Sequence, residues 1–442
     1  MFKKSRFALC AVALAVGTLT HTAQAQSLSA MVEAARQTDA TYLSAVAAAQ
    51  ANKAKAEQGR SVRLPTIGMS ASASRERTDF ESTADVDADK TSIGVSLTQP
   101  LFRMANNAAV AQSDQLDVMA GQQLRDADAA LVVRVSEAYF NVLVAQDKLQ
   151  VVKAQKDAVA QQLASAKRNF EVGTATITDT REAQAQFDRI VAAEIASESD
   201  LRIKRLALEQ ITGVANPVPL ALAAKASLPD LAAGSLDQWV NTAMDKSATV
   251  NMAAAGLETA RLEVRKAEAG HLPTLDLEAS YGQARTDGDC AVVSGGARAC
   301  GSASIGVKFT LPIFAGFAIQ NRVKETLQLE DKARQDLEAA RRGVTQGVRQ
   351  AYLGVQSGLG QVKALEAAEA SSQSALDATK LGYEVGVRIN VDVLNAQTNL
   401  FQTKADLAKA RYDVLLGGLK LRQAAGTLSA DDVALVAKSL QP

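Results

Sequence analysis

The chain contains the same ordered set of motifs twice, and this internal duplication restricts its fold more than any other feature. The motif Leu64–Ile67 returns as Leu272–Leu275, and Phe170–Gly173 returns as Tyr383–Gly386. The copies are 208 residues apart at the first motif (272 minus 64) and 213 apart at the second (383 minus 170). Solenoid units have periods of roughly 20–50 residues, so this repeat is far too long to be one of them. The sequence therefore predicts two copies of one large structural unit.

The N-terminus has the composition of a secretory signal peptide. Basic residues between Lys3 and Arg6 precede an apolar run at 7–19, and the small-residue pattern Ala23–Ala25 follows. This order predicts an exported protein from which residues 1–25 are removed. Cys10 lies inside the apolar run without the small residue that a lipoprotein signal would place before it, so a lipid anchor is disfavoured.

The duplication and the leader divide the chain into five predicted segments. Each repeat is read as a helix, two strands, a long helix and a further helix, because the hydrophobic period changes from 3.6 to 2 and back. A proline-rich linker joins the two repeats. The segments are the signal peptide (1–25), the first repeat (26–213), the linker (214–234), the second repeat (235–426) and a C-terminal tail (427–442).

The composition disfavours several classes of function. The formal net charge is zero, with basic and acidic side chains interspersed, which argues against a nucleic-acid partner. After the leader the chain has a single histidine, His271, so neither a His-containing metal cluster nor a His-based catalytic triad can be built. Carboxylates such as Glu182 and Asp188 are interpreted as parts of a solvated helix face. We therefore expect no enzymatic activity, no cofactor and no metal.

Two cysteines remain after the leader, and both lie in one glycine-rich stretch. They are Cys290 and Cys300. An exported protein meets an oxidising compartment, so the sequence predicts a disulfide that closes this short loop. Two free thiols are the alternative.

Each repeat has two stretches in which apolar and polar residues alternate. In one of them Ile93, Val95 and Leu97 alternate with serine, glycine and threonine. This pattern is typical of a membrane-spanning β-barrel, although a soluble sheet with one buried face has the same period. Prolines and phenylalanines at the strand ends favour the membrane, because an aromatic girdle lies at that level. The four predicted strands are about 64–76, 91–100, 272–284 and 303–312.

Four strands are too few to close a barrel. Open strand edges are not tolerated in lipid, because their backbone N–H and C=O groups would lack partners. The chain is therefore expected to oligomerise, and three copies giving twelve strands are the simplest closure.

The longest predicted helices run from about Arg103 to Glu171 and from about Gly316 to Glu384. Apolar residues recur at heptad spacing through the first of them, starting at Leu131. At 1.5 Å per residue each helix would be about 100 Å long, so each needs long helical neighbours. A plain coiled-coil bundle would have the same pattern. Shorter predicted helices at 27–63, 178–210, 235–270 and 390–425 would stack end to end in pairs beside the long ones.

The repeated motifs resemble the signatures of the TolC family of outer-membrane export channels. The resemblance covers the whole chain after the leader, and the paired motifs at matched spacing are specific. It implies a mainly α-helical protein with a transmembrane β-barrel, in which a duplicated α-β-β-α-α repeat forms a trimeric 12-stranded β-barrel that continues into a long periplasmic α-helical barrel. The motifs are FEVG (170–173), ITD (177–179), AQFD (185–188), LEQITG (208–213), GYEVGVR (382–388), VDVL (391–394) and ARY (410–412).

The resemblance also implies a location and partners. The chain would be a homotrimer in the cell outer membrane of a Gram-negative bacterium, in contact with outer-membrane lipid and extending into the periplasm. It would form the passive exit duct of a tripartite system with a periplasmic adaptor (membrane fusion) protein and an inner-membrane transporter, either an ABC transporter or a proton-driven pump. The sequence leaves open whether the cargo is protein or small molecules. A structural or adhesive stalk on a small barrel is the alternative class.

Residues beside the two helix-to-helix turns are the candidate gate. The resemblance implies that the turns at Gly173 and Gly386 form the periplasmic tip, where the tunnel narrows. Tyr383 and Arg388 are donors whose matching positions in the first repeat carry no such groups, and Asp179 is an acceptor. Polar links among them, within and between protomers, would close the tunnel. Solvated turn residues are the alternative interpretation.

A ring at the tunnel mouth is the second candidate element. The resemblance places Asp392 and Asn395 inward, so that three copies would form two rings that attract cations. Because Asn395 stands where the family usually has a second acid, we expect weaker cation attraction here than in members with two acidic rings.

Overall fold

The same order of secondary-structure elements occurs twice along the chain. The structure is a computed structural model that describes residues 26–78, 86–222, 234–288 and 298–440. The predicted signal peptide lies outside these residues. The elements are α1 (Leu28–Thr38), α2 (Ala40–Arg60), β1 (Thr66–Thr78), β2 (Val86–Phe102), α3 (Met104–Glu171), α4 (Ile177–Thr212), α5 (Leu236–Lys246), α6 (Ala248–Glu268), β3 (Thr274–Gly288), β4 (Arg298–Thr310), α7 (Ala318–Glu384), α8 (Asn390–Ala424) and α9 (Ala430–Ser439).

The two long helices, α3 and α7, organise the helical part of the chain. They have 68 and 67 residues, so each is about 100 Å long. Helices α2 and α4 pack along α3, while α5, α6 and α8 pack along α7. The prediction that shorter helices flank each long one is confirmed. Helices α6 and α8 also contact α3, so the two repeats share one helical layer.

The first helix of each repeat was predicted to be continuous, and this prediction is wrong. The helix predicted at 27–63 breaks at Asp39, and the one predicted at 235–270 breaks at Ser247, both of which have extended backbone. The carboxylate of Asp39 caps α2 by accepting a hydrogen bond from the backbone N–H of Tyr42 at 2.7 Å. Each break lies where another helix ends. The end of α8 packs closely against the second break, since a Cβ atom placed on Gly426 would lie 2.5 Å from the Lys246 carbonyl oxygen.

One antiparallel sheet contains all four strands, in the order β1-β2-β3-β4. The central pairing of β2 with β3 joins the two repeats. The register places Val95 opposite both Met69 and Tyr281, so the apolar residues of neighbouring strands lie on the same face. On the other face, the hydroxyls of Ser72 and Ser92 lie 2.8 Å apart. The predicted alternation of one apolar and one polar face is confirmed.

The strands extend beyond the predicted ones at their loop ends. Strand β2 begins at Val86 rather than near residue 91, and β3 continues to Gly288. Cross-strand ion pairs stabilise this extension: Arg75 Nε lies 2.7 Å from Asp89 Oδ1. The sequence prediction stopped at the end of the apolar alternation, whereas the hydrogen-bond ladder continues through charged residues.

A buried tyrosine fixes the linker and the start of the described chain at the middle of α3. Tyr139 is fully buried, and its hydroxyl accepts a hydrogen bond from the Leu220 N–H at 2.7 Å and donates to the Gln26 carbonyl at 3.1 Å. Burial raises the pKa of Tyr139 to about 12. Val433 and Val436 of α9 belong to the same apolar cluster. The linker, α1 and α9 therefore converge on one site of α3.

A second tyrosine of this cluster pairs with a carboxylate. Tyr412 is stacked on Phe140 with ring centroids 5.9 Å apart, and its hydroxyl donates to Asp147 Oδ2 at 3.0 Å. Burial raises the pKa of Asp147, and burial together with this carboxylate raises the pKa of Tyr412. The pair joins α8 to α3, and so ties the second repeat to the first.

Candidate functional site

The turn between α3 and α4 is tight and is capped by its own side chains. Gly173 has a φ of +79°, a left-handed conformation that favours glycine. The Asn169 carbonyl accepts a hydrogen bond from the Thr174 N–H at 2.8 Å. The carboxylate of Asp179 accepts from the N–H of Thr176 at 2.9 Å and from its hydroxyl at 2.7 Å. Asp179 is therefore a capping residue of α4 as well as a predicted gate acceptor.

The turn between α7 and α8 has the same geometry. Gly386 has a φ of +81°, and the Arg388 N–H donates to the Gly382 carbonyl at 3.0 Å. The carboxylate of Asp392 accepts from the Ile389 N–H at 3.4 Å. Two turns with equivalent hydrogen bonds and matching acids thus end the two long helices. A helix-to-helix turn lies at each of the two predicted glycines, and the assignment of these turns to the periplasmic tip stays a prediction.

The predicted gate residues are only partly brought together within one chain. Arg388 Nη1 lies 3.8 Å from Asp392 Oδ2, and the Arg388 side chain is 62% exposed. Tyr383 is half-buried and packs on the cluster around Val393. Among the described residues of the single chain, no hydrogen bond or ion pair connects Tyr383 or Arg388 with Asp179. The gate assignment stays a prediction, and its links to Asp179 would have to form between chains or on rearrangement.

The mouth-ring residues differ in their surroundings. Asp392 is half-buried in the first turn of α8, where it serves both the helix cap and the ion pair with Arg388. Asn395 is exposed, one turn further along the same helix. The single chain does not test whether either side chain faces a tunnel.

Sequence reasoning missed Asn390, the first residue of α8. Its side chain is fully buried, its Oδ1 accepts from Gln162 Nε2 at 2.6 Å, and its Nδ2 donates to the Asp179 carbonyl at 3.2 Å. It therefore contacts both helices of the other hairpin. One signal was available: the matching position of the first repeat (390 minus 213) is Ile177, so a polar residue replaces an apolar one.

The predicted disulfide lies partly outside the described residues. Cys300 is an exposed residue of β4, opposite Ala284 of β3, and forms no disulfide within the part of the chain that the structure describes. Cys290 lies outside that part, and the pairing of the two cysteines stays a prediction.

Within the described residues, none of the helices is both long enough and apolar enough to cross a membrane. The same residues contain no group of three or more His, Cys, Asp or Glu side chains placed to hold a metal ion.

A family comparison identifies the duplicated architecture. The family described as outer membrane efflux protein matches residues 31–214 and 239–427, one match for each repeat. The chain belongs to the outer membrane efflux protein family. The resemblance to TolC channels that the repeated motifs indicated is therefore confirmed.

Individual members of this family are similar over most of their length. Outer membrane protein TolC of Vibrio cholerae is 34% identical, over 96% of this chain and 95% of that protein. Alkaline protease secretion protein AprF of Pseudomonas aeruginosa is 28% identical, over 91% of this chain and 85% of that protein. The crystal structure of the Campylobacter jejuni CmeC outer membrane channel superposes with a TM-score of 0.77 at 17% identity, over 99% of this chain and 98% of that chain.

These findings establish the class of the protein. The chain has the fold of TolC-like channels, with long helices and a few strands. As a member of the outer membrane efflux protein family, it is an outer-membrane channel of a Gram-negative bacterium, and the family consists of transport ducts rather than enzymes.

Proposed function

We propose that three copies of the chain form one passive exit duct across the outer membrane and the periplasm. Each copy contributes four strands to a 12-stranded barrel and its helices to a periplasmic α-helical barrel. The duct has no catalytic residues and takes its energy from an inner-membrane partner.

The open sheet is the observation that carries this proposal. Strands β1 and β4 are the edges of the four-stranded sheet and have no further strand beside them in the described chain. On its apolar face, Ile67 is 70% exposed and Ile305 is 77% exposed. Unpaired edges and an exposed apolar face are stable in lipid only if the sheet closes on itself with other copies.

The closed state of the duct is assigned to the two tip turns. Tyr383 and Arg388 donate, and Asp179 and its neighbouring carboxylates accept, in links that are repeated three times around the axis. Asp392 and Asn395 form the rings at the mouth. The location of these groups beside the capped turns at Gly173 and Gly386, where the long helices end, supports the assignment.

The partners are a periplasmic adaptor protein and an inner-membrane transporter. The name of AprF refers to the secretion of a protease, which favours a protein cargo and an ABC transporter over a proton-driven pump. Chemical cross-linking in cells, followed by purification of the channel, would identify the transporter.

Native mass spectrometry tests the oligomer on which the proposal depends. Protein extracted from outer membranes in mild detergent is expected to have the mass of three chains, because three four-stranded sheets supply the twelve strands of the proposed barrel. A stable, folded monomer that retains its strands would contradict the barrel.

A further inference from the structure

A cavity of about 560 Å³ lies at the break between α5 and α6, beside the end of α8. Residues of α3, α7 and α8 line it together with the break itself, and a cavity of this size can hold a small organic molecule. Apolar and polar side chains share the lining, among them Leu124, Val344 and Leu428 on the one hand and Gln122, Arg125 and Lys246 on the other.

The equivalent break of the first repeat contains an ion pair with a buried carboxylate. There Asp39 caps α2 by accepting from the Tyr42 N–H at 2.7 Å, and Arg134 Nη2 of α3 lies 2.6 Å from Asp39 Oδ1. A carboxylate at a helix N-terminus provides an acceptor for backbone N–H groups that have no partner within the helix. The guanidinium group balances the charge of this carboxylate.

Both partners of this ion pair are missing from the second repeat. The offset of 208 that relates α1 to α5 (236 minus 28) matches Asp39 with Ser247, and the offset of 213 between the long helices matches Arg134 with Gly347. Ser247 is 5% exposed, and its hydroxyl does not cap α6. A Cβ atom placed on Gly347 would have no other atom within 4 Å. Because Ser247 and Gly347 both line the cavity, it lies where the ion pair lies in the first repeat.

Hydrogen-bond donors and positive charges surround this space. The backbone N–H groups of the first turn of α6, from Ala248 to Val250, have no acceptor within the helix. Lys246 and Arg125 line the cavity and form no ion pair within the described chain. Gln122 is 9% exposed, and its side-chain oxygen has no hydrogen-bond partner. Rotation of this amide exchanges its oxygen with its NH₂ group, so Gln122 can donate to an acceptor in the cavity.

The acids that line the cavity do not cancel this positive charge. Asp128 already accepts two hydrogen bonds from Arg36, at 2.9 and 3.0 Å, and Lys420 is paired with Glu137 at 3.3 Å. The exposed Asp126 remains as the one acid of the lining without an ion pair in the described chain, against the two cations Arg125 and Lys246. The groups without partners therefore favour an anion.

We propose that the cavity binds a small organic carboxylate, whose carboxyl group takes the position that the Asp39 carboxylate has in the first repeat. This group accepts from the first turn of α6 and pairs with Lys246, while the apolar part of the ligand packs against Leu124 and Leu428. The inference does not depend on the proposed trimeric duct, because every group that lines the cavity belongs to one chain.

Ligand-observed fluorine NMR on the purified protein in detergent tests this site. The probe is para-fluorobenzoate, and the neutral para-fluorobenzamide, of similar shape, is the control ligand. After subtraction of the signal from empty micelles, the carboxylate is expected to bind at least about tenfold more tightly than the amide, because charge-assisted hydrogen bonds are the stronger ones. Equal affinities, or no binding beyond that of the micelles, would overturn the proposal. Displacement of the probe by inorganic phosphate at equal concentration would overturn the assignment to an organic carboxylate.

Filling the cavity with side chains of the protein itself is the second test. Ser247→Asp with Gly347→Arg recreates in the second repeat the pair that Asp39 and Arg134 form in the first. The affinity for para-fluorobenzoate is expected to fall at least about tenfold, because the new carboxylate occupies the position of the ligand's carboxyl group. The temperature of unfolding, followed by circular dichroism, should not fall. A variant that is as stable as the wild type and binds the probe equally well would overturn the proposal.

The matched control makes the same two chemical changes outside the cavity. Ser235→Asp changes the N-cap of α5, and Gly343→Arg lies one turn before Gly347 on α7, where a Cβ atom also has open space. This control should bind the probe like the wild type. Lys246→Gln alters an exposed side chain, so it tests the site even if the filled variant does not fold, and wild-type affinity in Lys246→Gln would contradict the proposed pairing.

Discussion

Replacing Tyr383 by phenylalanine and Arg388 by serine is expected to raise the single-channel conductance several-fold. Each exposed polar link contributes about 0.2–1 kcal/mol, so two links in each of three chains give roughly 1–6 kcal/mol in favour of the closed tip. A free energy of about 1.4 kcal/mol is a factor of ten in an equilibrium constant. Removal of these links therefore shifts the equilibrium between the closed and the open tip substantially toward the open state. Arg388 is exposed and lies 3.8 Å from Asp392, so we expect its contribution to the free energy of closure to be at the low end of this range.

The control for this variant makes the same chemical changes away from the tips. Tyr42→Phe with Arg342→Ser alters a half-buried tyrosine of α2 and an arginine that pairs with Glu338 on its own helix. Recordings in planar bilayers should show wild-type conductance for the control. Equal conductance of the gate variant and the wild type would reject the gate assignment.

Introducing arginine at Val95 is expected to abolish most of the assembled protein. Val95 lies on the apolar face of β2, between Met69 and Tyr281, and is 44% exposed in the single chain. An arginine on the lipid face of a barrel costs about 2–4 kcal/mol at the membrane midplane, and a trimer contains three of them. The yield of trimer from outer membranes, measured by native mass spectrometry, should fall strongly.

The neighbouring residue provides the matched control. Ser96 is on the opposite, polar face of the same strand, so Ser96→Arg would project into a water-filled lumen and should preserve the trimer. Similar yields from the two variants would contradict the assignment of a lipid face and a lumen face, and a greater loss with Ser96→Arg would mean that the two faces are reversed.

The sequence predicted the long elements well, because their signals are long. A proline-free heptad pattern predicted α3 to within one residue, from about Arg103 for the observed start at Met104. The alternation through Val95 predicted both the strand and its apolar face. The duplication strengthened the prediction of these elements, because each motif occurs twice at nearly constant spacing.

The sequence did not predict features that depend on contacts between distant segments. The sequence around Asp39 has a continuous helical pattern, so it does not indicate the break. The break depends on the end of α4, which packs beside it: the Thr38 hydroxyl lies 3.3 Å from the Ile211 carbonyl. The role of Asn390 depends on Gln162, 228 positions away in the chain. Neither contact follows from local propensity or periodicity.

The current through the purified wild-type trimer in a planar lipid bilayer measures directly whether three chains enclose a continuous duct. We predict discrete conductance steps, small because the proposed gate narrows the tip, with a preference for cations from the proposed ring of Asp392. Bilayers that remain silent, although the inserted protein has the mass of three chains, would show that the barrel is filled and would contradict the duct.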